Sequence, residues 1–148
     1  MPPAPCVTTV LVIDASVLVV ALADDGPDGD MARVRLRDEE LAAPELIDLE
    51  VVSVLRRQRA SGALDVRRAQ LALDDLIDLP MHRAPHRPLV ARSWELRENM
   101  TPYDGAYVAL AEALEAALLT ADTRLAHAPG LRCAVEVLAS QRGSAEPR

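Results

Sequence analysis

Four acidic side chains lie within or directly after apolar segments, where burial from water is expected. Asp14 ends an apolar, β-branched run, and Asp122 ends a second apolar run in the same way. Glu50 and Asp104 lie within predicted helices, and neither has an Arg or His three or four residues away. Because side chains at those spacings are neighbours on a helix, neither acid has an adjacent cation on its own helix to pair with. These four carboxylates are the candidate chemical site.

Each of the four acids also has an ordinary structural alternative. Asp14 and Asp122 stand where a helix N-cap is expected, and Asp is a favoured N-cap residue. Asp104 stands at the third helical position after the Thr101 N-cap of the helix start TPYD, which has the form of a capping box. Glu50 is otherwise an exposed residue, or one paired with an Arg from elsewhere. Two Asp residues that end two strands of one small sheet nevertheless favour a shared site at the carboxyl edge.

Four carboxylates gathered in one place require a counter-charge. Two like charges about 4 Å apart repel by about 4 kcal/mol at an effective dielectric constant of about 20. A hard divalent cation, Mg²⁺ or Mn²⁺, takes oxygen ligands and is the expected counter-charge. Such a site activates water and neutralises a phosphodiester during in-line displacement, with no need for His or Cys. If the four acids converge, they predict metal-dependent phosphodiester hydrolysis.

The elements that must position these acids alternate between strands and helices. The sequence predicts strands over residues 8–13, 41–43, 79–83, 117–121 and 133–138. It predicts helices over residues 16–23, 44–60 beginning at Pro44, 65–79 with Leu71 and Ile77 in the apolar stripe, 88–98, 101–115 and 122–127, and a short helix capped by Asp30. This alternation predicts an α/β fold with a central parallel sheet and crossover helices on both faces.

Length and composition bound the remaining possibilities. At 148 residues the chain is predicted to be one domain, ordered over about residues 8–140 and with a tail at each end. All its basic residues are Arg, and the absence of Lys excludes P-loop nucleotide hydrolases and Schiff-base enzymes. The widely separated Cys6 and Cys133 form no CxxC motif and are expected to be inert thiols in a reducing cytoplasm. The apolar residues 7–22 are interrupted by polar ones, which predicts neither a membrane span nor a secretory signal.

Four segments carry a resemblance to a known family. In chain order they are VIDAS (12–16), PELIDLEVVSVLRR (44–57), TPYDGAYVALA (101–111) and LLTADTRL (118–125). They resemble the four acidic blocks of PIN-domain ribonucleases, especially the VapC-type toxins of bacterial toxin–antitoxin modules. The resemblance extends over about residues 10–138. Four blocks in this order are a far more specific signal than any one of them.

The resemblance implies a three-layer α/β/α PIN-like domain whose sheet has about five strands. It also implies an acidic quartet of Asp14, Glu50, Asp104 and Asp122. In that quartet, Asp14, Asp104 and Asp122 would bind Mg²⁺ or Mn²⁺ most directly. Glu50 would complete the site as a ligand or act through a water molecule.

Further residues and partners follow from the same resemblance. Ser16 matches a small hydroxyl residue after the first Asp and would support the metal ligands, and Thr120 is expected to play the same part. Independently of the resemblance, the position of Arg124, two residues after Asp122, suits contact with a phosphate of the substrate. The family implies an RNA substrate, a small VapB-like antitoxin and a toxin homodimer, with no membrane association.

The net charge of −7 is unusual for an RNA-binding protein, because the phosphate backbone attracts basic surfaces. A local basic rim is still possible from the Arg residues of three predicted helices, and the alternative is that they form solvated surfaces. These residues are Arg33, Arg35, Arg37, Arg56, Arg57, Arg59, Arg67 and Arg68.

Two alternative functions remain open from the sequence. A catalytically inactive PIN-like binding module would have one of the four acids missing or salt-bridged, and all four are present. An aspartyl-phosphate phosphotransfer domain would phosphorylate a strand-end Asp. That class is less well supported, because receiver domains use a Lys and the segment Asp14-Ala15-Ser16 lacks the second Asp of a D-x-D motif.

Overall fold

A sheet of five parallel strands forms the centre of the molecule. The computed structural model describes residues 1–3 and 9–140. In chain order the strands are β1 (Val10–Ile13), β2 (Glu40–Pro44), β3 (His82–Ala84), β4 (Ala117–Thr120) and β5 (Val135–Val137). They lie across the sheet in the order β3-β2-β1-β4-β5, and every neighbouring pair is parallel. The predicted parallel sheet of about five strands is confirmed.

Helices cover this sheet in two groups. Within the described residues they are α1 (Ala15–Ala23), α2 (Pro27–Leu36), α3 (Leu46–Ala60), α4 (Val66–Asp78), α5 (Val90–Glu95), α6 (Pro102–Ala113) and α7 (Thr123–Ala126). Helix α6 packs against β1, β2 and β4, whereas α1 contacts α2, α3 and α4. The sheet and the two helix groups form the predicted three-layer α/β/α fold. None of the helices in the described ranges is both long and apolar enough to cross a membrane.

The central strand β1 explains why two of the acids share one edge of the sheet. Its residues Leu11, Val12 and Ile13 are at most 2% exposed, as expected for a strand covered on both faces. Ile13 pairs with Leu119 of β4 in parallel register. Since parallel strands end at the same edge, the residues that follow β1 and β4 meet there.

The structure corrects the predicted start of α3. Pro44 was predicted as the first residue of a helix, but it is the last residue of β2 and pairs with Ala84. Helix α3 begins at Leu46, whose backbone N–H donates to Nε2 of His86 at 2.9 Å. The φ angle of proline suits an extended chain as well as a first helical turn, so the residue type alone did not distinguish the two.

The predicted start of α2 is also wrong. The helix begins at Pro27, with Gly26 as its N-cap, because proline is pre-organised for the first helical position. Asp30 therefore lies inside the helix, where its carboxylate pairs with Arg33 at 2.7 Å. The helix predicted over 88–98 is shorter, and consists of a 3₁₀ turn (Arg87–Leu89) followed by α5.

The predicted apolar stripe of α4 is wrong in its phase. Leu71 and Ile77 are 49% and 67% exposed, whereas Ala72 and Leu76 are buried in the core. Rotation of a helix by one residue changes which apolar side chains face inward, and the small Ala72 allows close approach to the neighbouring elements. The predicted strand start at residue 8, Cys6 and the predicted tail over 141–148 lie outside the described residues.

Candidate functional site

Asp14 is the most enclosed of the four acids. It follows β1 directly and is only 8% exposed, and its N–H donates to the carbonyl of Leu119 at 2.9 Å. Its Oδ2 accepts hydrogen bonds from the hydroxyls of Ser16 at 2.9 Å and Thr120 at 2.8 Å. Within residues 1–3 and 9–140, no donor lies within hydrogen-bond distance of the other oxygen, Oδ1. Asp14 occupies the N-cap position of α1, yet its side chain makes no capping bond.

The two hydroxyls beside Asp14 connect the ends of β1 and β4. The Ser16 hydroxyl oxygen accepts a hydrogen bond from the backbone N–H of Ala121 at 3.0 Å. The fully buried Thr120 hydroxyl oxygen accepts one from the backbone N–H of Asp122, also at 3.0 Å. Each hydroxyl therefore donates to Asp14 and accepts from the turn that carries Asp122. This places Ser16 and Thr120 between Asp14 and the turn that carries Asp122.

Glu50 reaches the same region from α3. The side chain is half-buried, and its Oε1 accepts a hydrogen bond from the hydroxyl of Tyr107 at 2.8 Å. Burial raises the pKa of Glu50, the Tyr107 hydrogen bond opposes that rise, and the charges of Asp14 and Asp104 add to it. Its partner is thus a tyrosine rather than an Arg, and its charge is not cancelled.

Asp104 lies in the first turn of α6. Thr101 caps that helix, because its hydroxyl oxygen accepts from the N–H of Asp104 at 3.2 Å, as the TPYD pattern predicted. Burial and the negative charge of Asp14 raise the pKa of the Asp104 carboxyl. The charge of Asp122 raises it further, whereas Thr101 and Arg124 lower it. The positive N-terminal ends of α1 and α6 offset part of the repulsion between Asp14 and Asp104.

Asp122 is the one acid of the four with a cation beside it among the residues that the structure describes. It caps α7 by accepting from the N–H of Arg124 at 2.9 Å, so the N-cap alternative holds for this residue. The guanidinium of Arg124 also pairs with Oδ2 of Asp122 at 3.1 Å and lowers the pKa of that carboxyl. Asp104, Asp122 and Arg124 line the same cavity, of about 260 Å³.

The structure thus brings the four acids into one electrostatic neighbourhood at the carboxyl edge of the sheet. Glu50 is affected by Asp14 and Asp104, and Asp104 by Asp14 and Asp122. In the part of the chain that the structure describes, no three His, Cys, Asp or Glu side chains already converge as a ligand set for a metal ion. The arrangement is a cluster of partly compensated negative charge that can attract a cation.

Sequence reasoning missed the role of Tyr107. Its ring is fully buried in α6, and burial together with the charge of Glu50 raises the pKa of its hydroxyl, which stays protonated as a donor. A signal was available, because a buried Tyr hydroxyl needs a hydrogen-bond partner and this Tyr lies within the apolar run AYVALA. What the sequence lacked was the identity of that partner, 57 residues away.

We expect Glu50→Gln to raise the free energy of unfolding at neutral pH in metal-free buffer. The pKa of Glu50 is raised above its ordinary value of 4.5, so the folded chain binds this proton more tightly than the unfolded chain. Stability contributed by such a group is complete below the unfolded pKa and is lost as the pH rises through the folded pKa. The advantage of the Gln variant should therefore be present at pH 7 and vanish below about pH 4.

Urea unfolding in EDTA at several pH values measures this difference. Glu98→Gln is the control, because that side chain is 81% exposed and its removal should leave the pH dependence as in the wild type. A Glu50→Gln advantage that is equal at acid and neutral pH would contradict the electrostatic account of the site.

The fold, together with the four acids at the carboxyl edge of the sheet, defines a known class of α/β domain. The model of the PIN domain family matches residues 11–131, a range that includes all four acids. The chain therefore belongs to the PIN domain family, which confirms the resemblance carried by its four acidic segments.

Similar proteins within this family are VapC ribonucleases. Ribonuclease VapC1 of Mycobacterium tuberculosis is 44% identical over 128 residues, which cover 86% of this chain and 96% of that protein. VapC ribonuclease Mb0985 of Mycobacterium bovis is 40% identical over 128 residues, covering 86% of this chain and 98% of the relative. Both matches cover most of this chain and nearly all of the VapC relatives.

Two solved structures share the fold. PAE2754 from Pyrobaculum aerophilum has a TM-score of 0.65 at 25% identity, covering 87% of this chain and 84% of that one. VapBC2 from Rickettsia felis, bound to a DNA fragment from their promoter, has a TM-score of 0.66 at 14% identity. That match covers 88% of this chain and 100% of the other chain. The PIN-like fold inferred from the sequence is confirmed.

Proposed function

We propose that the chain is a divalent-metal-dependent endoribonuclease and the toxin of a toxin–antitoxin module. The observation that carries this proposal is the buried Asp14 carboxylate, whose charge raises the pKa of both Glu50 and Asp104. The relatives named as VapC ribonucleases support the same activity. Because the proposed substrate is RNA and the proposed partner is an antitoxin, we propose that the chain acts in the cytoplasm.

In this proposal, Asp14, Asp104 and Asp122 hold Mg²⁺ or Mn²⁺, and Glu50 completes the site directly or through a water molecule. The donor set fits a hard cation, because it consists of carboxylate oxygens and Oδ1 of Asp14 is not taken by a donor from the described residues. When bound, the cation supplies positive charge that neutralises the phosphodiester and activates the attacking water. Ser16 and Thr120 hold Asp14 in place through its Oδ2.

Arg124 is proposed to contact a phosphate of the RNA. An inactive binding module would have one of the four acids salt-bridged, and Asp122 pairs with Arg124. The strength of this ion pair therefore bears on whether Asp122 is available to a cation. The Arg124 side chain is 90% exposed, and ion pairs between solvent-exposed side chains contribute little to stability. Arg124 can therefore leave Asp122 for a phosphate at small cost, which frees Asp122 for the cation.

The Arg residues of the helices fall into two groups. Arg33, Arg35 and Arg68 form ion pairs with Asp30, with Glu39 and Glu136, and with Asp25, respectively. Of the eight Arg residues considered for a basic rim, the other five are exposed and form no ion pair within the described residues: Arg37, Arg56, Arg57, Arg59 and Arg67. We propose that the second group, rather than the first, is available to RNA phosphates.

Cleavage of an end-labelled single-stranded RNA by nuclease-free protein tests the activity directly. We expect discrete internal cuts with Mg²⁺ or Mn²⁺, and mapping of the new ends gives the cleavage position. Protein that binds RNA without cutting it would favour the inactive-module alternative. Labelling of Asp14 by acetyl phosphate would favour the phosphotransfer alternative.

The proposed antitoxin has suitable surfaces to bind. An aliphatic groove between α3 and α4 is lined by residues that include Val52, Leu73, Arg56 and Arg59. An amphipathic segment can place its apolar face in such a groove, while an Arg of the same partner approaches the acidic site. The surface of α3 and α4 is equally a candidate for the homodimer face, and a second apolar groove, beside Trp94 between α5 and α6, is another candidate.

We expect the protein encoded beside this chain to co-purify with it and to suppress its ribonuclease activity. Occupation of the acidic site by a partner Arg would exclude the cation and the RNA phosphate. Limited proteolysis of the partner should restore the activity of the free protein. Equal activity before and after proteolysis of a verified complex would remove the neutralisation proposal and leave the nuclease proposal standing.

A further inference from the structure

We propose that Tyr107 is a positioning residue, which orients Glu50 for cation binding through the hydrogen bond from its hydroxyl. This inference rests on the proposed function. The hydroxyl lies 2.8 Å from Oε1 of Glu50, and it must be the donor because a carboxylate only accepts. The other oxygen of Glu50, Oε2, has no donor within hydrogen-bond distance among residues 1–3 and 9–140. One oxygen is therefore held and the other is available to a ligand.

The geometry of α6 makes this arrangement specific. Tyr107 follows Asp104 by three residues, so the two side chains lie on the same face of the helix, one turn apart. Asp104 is in the first turn, nearer the cavity, and the Tyr107 ring is fully buried. Helix α6 thus supplies one acid and also holds the acid that α3 supplies. Any shift of α6 moves both together.

Glu50 has particular need of such a support. Its carboxylate is separated from the backbone by several rotatable side-chain bonds, and no basic side chain pairs with it in the described part of the chain. Free rotation of an unpaired carboxylate costs ordering entropy when it becomes a ligand. Partners that orient ligands from outside the metal's own contacts typically contribute 10–100-fold in affinity or activity, so we estimate about that range here.

The test compares Tyr107→Phe with Tyr103→Phe, the same chemical change four residues earlier on α6. The Tyr103 ring is 63% exposed, and no hydrogen bond of its hydroxyl is found among the described residues. Calorimetric titration of the RNA-free proteins with Mn²⁺ gives the affinities. We expect Tyr107→Phe to bind Mn²⁺ about 10–100-fold more weakly and Tyr103→Phe to bind as the wild type does.

A double-mutant cycle separates positioning from a merely structural effect. In a Glu50→Ala background, the further change Tyr107→Phe should alter Mn²⁺ affinity by less than about twofold, because the carboxylate it acts through is gone. The reduced activity of Tyr107→Phe should also recover at high Mn²⁺ concentration, with the KM for RNA unchanged.

Two outcomes would overturn the inference while leaving the proposed function intact. One is a Tyr107→Phe affinity equal to that of the wild type, and the other is an equal loss of affinity in the Glu50→Ala background. Wild-type protein that binds no Mn²⁺ would contradict the metal-dependent function and the positioning role together.

Discussion

Replacement of Asp14 by Asn is expected to abolish RNA cleavage while preserving the fold. Asn keeps an oxygen that can accept the hydrogen bonds of Ser16 and Thr120, so the connection between β1 and β4 survives. It removes the negative charge and one potential ligand oxygen. Groups that only orient metal ligands contribute about 10–100-fold, so we expect a direct ligand to cost more than about 100-fold in kcat/KM.

The same variant should be at least as stable as the wild type without metal. The charge of Asp14 raises the pKa of Glu50 and of Asp104, and its removal relieves that repulsion. Thermal unfolding in EDTA checks this expectation, and NMR titration should find both pKa values lower in Asp14→Asn. Asp38→Asn is a suitable control, because Asp38 is exposed and its φ of 63° is readily adopted by Asn. Full activity of Asp14→Asn would exclude the proposed quartet.

Removal of divalent cations is expected to have the other large effect. EDTA should reduce RNA cleavage to background, and excess Mg²⁺ or Mn²⁺ should restore it. A bound cation contributes several kcal/mol to the transition state, and each 1.36 kcal/mol corresponds to about tenfold in rate. We therefore expect a loss of at least about 100-fold. Full cleavage by nuclease-free protein in EDTA would exclude the metal mechanism.

Cation binding should also be visible without RNA. A ligand at about 100 times its Kd stabilises the native state by about 2.7 kcal/mol, which corresponds to a rise in Tm of roughly 5–10 °C for a domain of this size. The wild type should show this rise with Mn²⁺, and Asp14→Asn should not. An equal rise in both proteins would mean that the cation binds elsewhere.

The sequence and the structure differ most clearly in what each shows of the acids. The sequence singled out Asp14 and Asp122 because each ends an apolar run, and the structure places both at the carboxyl edge of neighbouring strands. The sequence did not distinguish a helix N-cap from a metal ligand at either position. The structure decides only the capping question: the side chain of Asp122 caps α7, whereas the side chain of Asp14 makes no capping bond.

Local signals were enough for much of the fold. An apolar β-branched run predicted β1, an apolar run predicted β4, and the TPYD pattern predicted the start of α6. These predictions succeeded because strand burial and helix capping depend on residues close together in the chain. The same local signals gave wrong predictions where one sequence pattern is compatible with two different local structures. Pro44 suits a strand end as well as a helix start, and the residues of α4 allow more than one inward face.

The amino-acid sequence by itself determined the α/β class, the order of the acidic segments and the identity of the four acids. Tertiary structure alone decided which groups face those acids. The hydroxyl of Tyr107 meets Glu50 across 57 positions, and that of Thr120 meets Asp14 across 106. Such contacts depend on how whole helices and strands pack and rotate against one another, because no local pattern carries the position of a partner so far along the chain.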